Sequence, residues 1–364
     1  MQPAISSAAR RRRPRPPRGA SRSWERCLEH PPERACVPSL SRSPTRLPPV
    51  LRATEAIESL SDGTQTLGGA LIEVAREIDD ALRRRRPVVA LETTLVAHGF
   101  PPGEGVAVGL EAERRVREAG ALPATVGVLD GAVRVGLSEA ELERFTAEAR
   151  KVGPRDLAAC AVQGAVGATT AGGTLAACRS AGIGFMATGG IGGVHRGERL
   201  DISADLGELA RTEALVVCSG VKSMLDVPAT VELLETLGVP MLGFRTDDLP
   251  LFYTAHGGPP MSSRVESAEE AAQVARAHWQ LGRHSALVLA RPPDESIDDV
   301  EPLIEQALGE AENQGVAGPE VTPFVLSFLH EASGGRTLKV NRKLVLENAQ
   351  LAAEVAVAYA EASD

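Results

Sequence analysis

The sequence predicts an α/β fold in which helices cover both faces of a mainly parallel sheet. Short apolar, β-branched runs such as 87–91 and 214–218 have the composition of buried strands. Amphipathic stretches, with apolar residues three and four apart, separate these runs along most of the chain. Strands and helices that alternate in this way build layered folds. We therefore expect an α/β/α sandwich with a mainly parallel, mixed central sheet.

The first elements of this region can be assigned in order. Residues 70–85 have helical periodicity. Residues 87–99 form an apolar, β-branched run that predicts a buried strand. Residues 106–120 predict a helix that ends at Gly120. The chain is thus expected to begin its fold as helix, strand, helix.

Turn and capping signals mark the next segment. Asp130 and Gly131 predict a tight turn between two strands. Ser138, with Glu141 three residues later, predicts a capping box at a helix start. The alternation then continues, with strands predicted at 183–190, 213–220, 239–246 and 285–292, helices at 174–182, 203–212, 227–238, 267–282 and 299–315, and two further helices at the carboxyl end.

The composition argues against several classes of protein. Of 364 residues, 43% are hydrophobic and 24% are charged, as in globular proteins that bury a core. Only 3% are aromatic, which argues against stacking platforms for nucleic acid. The net charge is −9, and the body of the chain is more acidic still because the amino-terminal region is basic. We expect no nucleic-acid partner.

Cysteine usage and hydropathy favour a cytoplasmic location. The five cysteines are far apart and form no C-x-x-C pair, which argues against a disulfide framework or a zinc site. Reduced thiols are typical of cytosolic proteins. No apolar stretch reaches the roughly 18–20 residues of a membrane span. We expect a cytoplasmic protein without a membrane partner.

Residues 1–65 form an extension rich in arginine, proline and serine, and 66–364 form the folded domain. The extension lacks apolar periodicity, so we predict that it is disordered. Three interpretations stay open: a nucleic-acid-binding tail, a transit peptide, or a translation start assigned too far upstream. The composition, typical of GC-rich coding DNA, favours the last.

Two ionisable side chains lie near strand ends, where functional groups gather in α/β sheets. Lys222 follows the strand predicted at 213–220, and an unprotonated amine there would be a nucleophile. A lone lysine is more often a surface residue. Glu92, a carboxylate within an apolar run, predicts either a buried ion pair or an acid facing a cavity. His98 in the same run is more often a core or capping histidine.

A glycine-rich segment, ATGGIGGVHRG, precedes two aspartates. Its glycines would let backbone N–H groups approach an anion, and His195 and Arg196 would add positive charge for a phosphate. Asp201 and Asp205 lie four residues apart near a helix start. Aspartate in this position is either a helix cap or a ligand for a hard ion such as Mg²⁺ or Mn²⁺.

Three further signals are weak when taken alone. Lys151 and Arg155 make a short basic loop, which is typical of a solvated turn. Residues 167–174 resemble a cradle for a phosphate or hydroxyl at a helix start. Asn341 is a polar residue near another helix start.

Taken together and in this order, these motifs resemble the pseudouridine-5′-phosphate glycosidase family. The resemblance covers about 72–360 and leaves out the amino-terminal extension. It is carried by PVVALETTLVAHG, GALPATVGVLDGAVRVGLS, ATGGIGGVHRG, DISADL, VVCSGVKSMLD, ETLGVPMLGFRTDDLPLF, TPFVL and NRKLVLENAQLAAE.

The resemblance implies a role for particular residues and an assembly. Lys222 matches the Schiff-base lysine, Glu92 the proton donor, and Asp201 the ligand of a metal that is usually Mn²⁺, with Mg²⁺ or another divalent ion as alternatives. The implied contacts with substrate are Lys151, Ala171, Ser203, Ala204, Asp205 and Asn341. Family members are α/β/α sandwiches that form homotrimers, so a homotrimer is expected.

The sequence departs from the family pattern in three places. The segment between Arg196 and Asp201 is about two residues shorter than the family pattern leads us to expect. Ala171 stands where a valine is expected, and Glu347 where an asparagine is expected. None of these changes removes a catalytic group, and the metal assignment is the one most affected.

The implied reaction is reversible hydrolysis of the carbon–carbon glycosidic bond of pseudouridine 5′-phosphate to uracil and ribose 5-phosphate. Carbon is a poor leaving group, which explains the need for covalent catalysis by an amine. Two alternatives stay open: a Schiff-base aldolase or lyase acting on another phosphosugar, and a non-catalytic phosphosugar-binding protein. A carbohydrate kinase is disfavoured because the sequence has no convincing nucleotide loop.

Overall fold

A mostly parallel sheet forms the centre of the structure, a computed structural model that describes residues 71–197, 201–297, 299–316 and 318–362. These residues belong to one compact unit, 66–364, and the predicted extension 1–65 lies outside them. The strands are β1 (Ile72–Val74), β2 (Val88–Glu92), β3 (Leu122–Leu129), β4 (Ala132–Val135), β5 (Arg150–Val152), β6 (Gly167–Thr169), β7 (Phe185–Ala187), β8 (Val194–His195), β9 (Leu215–Cys218), β10 (Leu225–Asp226), β11 (Met241–Phe244), β12 (Ser263–Val265) and β13 (Leu287–Ala290).

The main sheet runs in the order β1-β4-β3-β2-β7-β9-β13-β11-β12, with β6 beside β3 and β5 beside β6. Every neighbouring pair from β3 to β12 along this row is parallel, whereas β4 and β6 run antiparallel to β3. Strands β8 and β10 form a separate antiparallel pair. The predicted sheet, mainly parallel but mixed, is confirmed.

Helices flank both faces of this sheet. They are α1 (Arg76–Arg83), α2 (Thr94–His98), α3 (Glu104–Glu118), α4 (Glu139–Leu142), α5 (Leu157–Val162), α6 (Ala171–Ala181), α7 (Ala204–Leu209), α8 (Val227–Thr236), α9 (Ala268–Gln280), α10 (Glu301–Asn313), α11 (Val321–Ala332) and α12 (Arg336–Glu361). Within the described ranges, no helix has the length and apolarity to cross a bilayer.

The direction of each crossover explains how the helices divide between the faces. Crossovers between parallel strands are right-handed, so steps in opposite directions along a sheet place their helices on opposite faces. The steps from β2 through α3 to β3 and from β12 through α9 to β13 run one way along the sheet, whereas the step from β7 through α7 to β9 runs the other way. Consistently, α12 packs on α3 and α9, whereas α6 packs on α7.

Two predicted elements differ from those observed. The helix predicted at 70–85 begins only at Arg76, because Ile72–Val74 pairs with β4 as an edge strand. The strand predicted at 87–99 ends at Glu92, and Thr94–His98 forms α2. Apolar periodicity cannot detect either change, since pairing with a distant strand and the burial of a short helix are tertiary effects.

The local signals at the β3–β4 turn and at α4 are confirmed. Asp130 and Gly131 adopt positive φ angles of 51° and 83°, as the central residues of a type I′ hairpin turn do. The Ser138 hydroxyl accepts a hydrogen bond from the Glu141 backbone N–H, and the Glu141 carboxylate accepts one from the Ser138 N–H. Both signals depend on neighbouring residues alone, which is why the sequence predicts them correctly.

A buried asparagine on α12 fixes the carboxyl ends of two central strands. Asn348 Nδ2 donates to the Thr188 carbonyl, just after β7, at 3.0 Å. The same amide donates to the Ser219 hydroxyl, just after β9, at 3.1 Å. Asn348 is fully buried, so water cannot replace these bonds.

Replacing Asn348 with alanine should lower the free energy of unfolding by about 1–3 kcal/mol, because buried polar groups lose their partners. Chemical denaturation measures this change. Glu354→Ala on the same helix is the control, and it should stay within about 0.5 kcal/mol because its exposed carboxylate accepts only a surface hydrogen bond from Gln350 among the described residues. Equal stability of the Asn348→Ala protein and the wild type would contradict this role.

Candidate active site

A cavity of about 300 Å³ opens where β2, β7 and β9 end. It collects side chains from distant parts of the sequence. Those predicted beforehand that line it are Glu92, Lys151, Asp201, Ser203, Ala204, Asp205, Lys222 and Asn341. Ala171 is not among its lining residues; it is the buried first residue of α6, and its neighbour Thr170 lines the cavity.

Glu92 is the last residue of β2, and it faces the cavity rather than forming a buried ion pair with arginine. The Thr188 hydroxyl donates a hydrogen bond to Glu92 Oε1. Burial raises the pKa of the Glu92 carboxyl, although the nearby charge of Lys222 and the bond from Thr188 act in the opposite direction. A raised pKa keeps a larger fraction of this acid protonated, as proton donation requires.

Lys222 lies beyond the end of β9 in a turn held by backbone hydrogen bonds. Its N–H donates to the Ile191 carbonyl at 3.2 Å, and its carbonyl accepts from Leu225 N–H at 3.0 Å. Gly220 allows this path because its φ is +83° and a Cβ there would lie 1.9 Å from the Pro250 carbonyl oxygen. The backbone on both sides of the amine is therefore fixed.

Lys151, in the centre of β5, is a second amine in the cavity. Burial, together with the positive charge of Lys222, lowers the pKa of Lys151 to about 8, against the opposing influence of Asp205. This mutual influence places two amines and the Glu92 acid in one electrostatic environment. The prediction of a solvated basic turn, the alternative for Lys151, is therefore wrong.

Asp205 is a structural brace as well as a cavity residue. Its Oδ1 accepts from Gly172 N–H at 2.7 Å and its Oδ2 from Gly192 N–H at 2.9 Å. It thereby joins the start of α6 to the glycine-rich loop. Ser203 caps α7 by accepting from Asp205 N–H at 3.2 Å. The helix-cap interpretation therefore applies to Ser203.

Asp201 lies beside His195 at the rim of the cavity. His195 Nδ1 and Asp201 Oδ2 are 3.9 Å apart, and the His195 N–H donates to the Asp201 carbonyl at 2.9 Å. Burial lowers the pKa of His195, although Asp201 acts in the opposite direction. In the part of the chain that the structure describes, no three His, Cys, Asp or Glu side chains are grouped to hold a metal.

Asn341 presents an unsatisfied acceptor. Its Nδ2 donates to the Gly99 carbonyl at 3.2 Å. Its Oδ1 is buried and has no hydrogen-bond partner among the described residues. A buried acceptor without a partner costs free energy, so its position beside a cavity points to a donor on a ligand.

Several lining residues were not predicted. Thr188 directly follows β7 in the ATGG segment, so the strand-end rule could have found it. Thr322 and Leu326 of α11 and the Phe252 ring also line the cavity. They lie in two of the motifs that carry the family resemblance, TPFVL and ETLGVPMLGFRTDDLPLF, but their residue types do not mark them as site residues.

Arg196 does not have the predicted environment of a phosphate ligand. It is not among the lining residues, and its guanidinium donates to the carbonyls of Ser223 and Leu225 and to Glu301. His195, its neighbour, does line the cavity. The two residues that the sequence groups together thus have different surroundings.

The sequence matches the family described as indigoidine synthase A like protein over residues 77–358. The chain belongs to this family. A pseudouridine-5′-phosphate glycosidase from Caldanaerobacter subterraneus subsp. tengcongensis is 44% identical over 294 residues, which cover 79% of this chain and 96% of the relative. The enzyme of the same name from Escherichia coli K12 is 44% identical over 298 residues, which cover 79% of this chain and 96% of that enzyme. The predicted relationship to these glycosidases is confirmed.

Two solved structures share the fold. Prealnumycin C-glycosynthase AlnA, in complex with ribulose 5-phosphate, is 40% identical with a TM-score of 0.73, covering 81% of this chain and 99% of AlnA. An indigoidine synthase A (IdgA)-like protein from Thermotoga maritima is 40% identical with a TM-score of 0.73, and the match covers 79% of this chain and 96% of that protein.

One departure from the family's motifs has a local explanation. Glu347, where an asparagine is expected, accepts a hydrogen bond from Arg291 Nη1 at 2.7 Å. Arg291 also bonds Asp294 at 2.6 Å. The additional carboxylate is therefore paired, and it is not among the residues that line the cavity. The role of Ala171 as a substrate contact stays a prediction.

Asp205→Asn should lower the free energy of unfolding by about 1–3 kcal/mol, because the NH₂ that replaces one carboxylate oxygen cannot accept from the glycine N–H that faces it. Asp201→Asn is the matched control and should change stability by less than about 0.5 kcal/mol, since the Asp201 carboxylate makes no such bond. Denaturant titration of both proteins measures the difference, and equal effects would count against the brace.

Proposed function

We propose that this protein cleaves the bond between ribose C1′ and uracil C5 of pseudouridine 5′-phosphate, releasing uracil and ribose 5-phosphate. The observation that carries the proposal is that the Lys222 amine faces the same cavity as Glu92, an acid whose pKa is raised. Relatives named pseudouridine-5′-phosphate glycosidase support the substrate. AlnA, solved with ribulose 5-phosphate, supports a phosphosugar ligand.

Lys222 is the proposed nucleophile. Its Nζ lone pair forms a bond to C1′ as the C1′–O4′ bond breaks, and Glu92 gives its proton to O4′. The Glu92 carboxylate then takes a proton from the cationic Lys222 nitrogen. The freed nitrogen lone pair forms the iminium as the electron pair of the C1′–C5 bond moves to uracil C5, which takes that proton from Glu92. Water adds to the iminium and releases ribose 5-phosphate and the free amine. Electron donation by the nitrogen lone pair thus assists the otherwise difficult departure of carbon.

The remaining side chains are proposed to bind the substrate. Lys151 and the glycine-loop N–H groups hold the 5′-phosphate, together with contacts from Ser203 and Ala204. Asn341 Oδ1 accepts a hydrogen bond from a uracil N–H, which would satisfy its buried acceptor. Binding energy from groups remote from C1′ then contributes to catalysis.

A divalent ion, Mn²⁺ or alternatively Mg²⁺, is proposed as the cofactor, with Asp201 as its protein ligand. Asp201 is a hard oxygen donor, lines the cavity, and has a half-exposed side chain. Because no three-residue metal cluster exists among the described residues, water and substrate oxygens would complete the coordination. Such an ion supplies positive charge beside phosphate or sugar oxygens.

We further propose a cytoplasmic homotrimer. The cytoplasmic assignment is supported by three buried cysteines, Cys160, Cys178 and Cys218, which are free thiols. The trimer rests on the family resemblance. Sedimentation of the purified protein measures the assembly.

Purified protein with Mn²⁺ should release uracil from pseudouridine 5′-phosphate. Lys222→Ala should abolish release, and Glu92→Gln should lower kcat by at least about 10²-fold, because proton transfer by a positioned acid contributes that much. Chromatography of uracil measures both. A protein that forms an imine with ribose 5-phosphate but releases no uracil would instead be a lyase for another phosphosugar, and binding without any turnover would indicate a non-catalytic protein.

The affinity for ribose 5-phosphate should weaken as the pH rises through about 8, because the Lys151 ammonium loses its charge there. Lys151→Arg retains a cation at higher pH, so its weakening should move to higher pH. Calorimetric titration across this range tests the assignment. Identical pH profiles for the two proteins would remove Lys151 from phosphate binding.

A further inference from the structure

Arg196 joins separate parts of the site through one guanidinium group. Its Nη2 donates to the Ser223 carbonyl at 2.7 Å, and its Nε donates to the Leu225 carbonyl at 3.1 Å. Both carbonyls belong to the turn formed by residues 222–225, which we call the lysine turn. Its Nη1 donates to Glu301 Oε1 at 2.6 Å, and Glu301 is the first residue of α10.

Two other polar groups near these carbonyls also have partners. Lys222 N–H donates to the Ile191 carbonyl, and the Ser223 hydroxyl donates to the Leu251 carbonyl at 2.5 Å. Ser223 and Leu225 are buried, so their carbonyls depend on Arg196 rather than on bulk water. Without the guanidinium, this side of the turn would lose two directional bonds.

Glu301 extends the connection to the helices that cover the cavity. Helix α10 packs against α11, and α11 contributes Thr322 and Leu326 to the cavity lining. The exposed carboxylate of Glu301 makes this the weaker part of the connection, because solvent screens the pair. Arg196 therefore connects the glycine-rich loop, the lysine turn and the covering helices.

We propose that Arg196 is a positioning residue that holds the Lys222 amine at the distance and angle needed to attack C1′. This rests on the proposed function of Lys222. The guanidinium is engaged by two carbonyls and a carboxylate, so it is not the phosphate ligand that its place beside His195 in the sequence suggests. A displacement of about 1 Å in a reacting group can cost about 10²-fold in rate.

The test compares wild type, Arg196→Ala, Arg196→Lys and Glu301→Gln in two assays. One is steady-state uracil release, and the other is the rate at which borohydride traps ribose 5-phosphate on Lys222. Arg144→Ala is the matched control, because it removes an exposed bidentate pair with Asp130 on the β3–β4 hairpin. Thermal melting confirms that each variant is folded.

Arg196→Ala should lower kcat and the trapping rate together, by about tenfold to a hundredfold, with KM nearly unchanged. Arg196→Lys should lie between Arg196→Ala and wild type, because an ammonium cannot reproduce the planar donor geometry. Glu301→Gln should lose about twofold to fivefold. If Arg196→Ala does not fold, the kcat and trapping rates of Arg196→Lys and Glu301→Gln, compared with those of wild type, decide the question.

A rise in KM with unchanged kcat and trapping would overturn the proposal and support a phosphate contact instead. Trapping at the wild-type rate in all folded variants would also overturn it. Wild-type protein that traps ribose 5-phosphate but releases no uracil would refute the proposed substrate alone. The relative trapping rates would still decide the role of Arg196.

Discussion

The site depends on three adjacent parallel strands that end at the same level of the sheet. In the observed register, Leu91 of β2 pairs with Ala187 of β7, which pairs with Val217 of β9. The next residue of β2 is Glu92, and the next residue after β7 is Thr188, so the acid meets the hydroxyl that binds it. A shift of one residue would turn these side chains to the opposite face and separate them. The lysine turn then needs only a few residues beyond β9 to reach the same cavity.

Electrostatics in this cavity are set by competition between burial and neighbouring charge. Burial disfavours the ionised carboxylate of Glu92 and the ionised amine of Lys151, and it is the larger influence on both. Opposite charges reduce the effect at Glu92, whereas the like charge of Lys222 adds to it at Lys151. A site with these properties holds a proton on Glu92, as proton donation requires. The same burial weakens the charge of Lys151, the proposed phosphate ligand.

The sequence predicts the layers of the fold and much of the site, for a physical reason. Hydrophobic periodicity reports burial, and the strand-end rule then places Glu92 and Lys222 at one edge of the sheet. What it does not predict depends on contacts between distant segments. The edge strand Ile72–Val74 exists because β4 pairs with it, and α11 reaches the cavity through packing that hydrophobic periodicity does not report. The partners of Arg196 likewise lie on other segments of the chain.

The most direct test of the account is to locate the covalent adduct. Protein incubated with ribose 5-phosphate and borohydride is digested, and mass spectrometry identifies the peptide that carries the reduced sugar phosphate. The account predicts modification of Lys222 and none of Lys151, because only the former is the nucleophile. Modification of Lys151 alone, or uracil release by a protein that never forms an adduct, would contradict it.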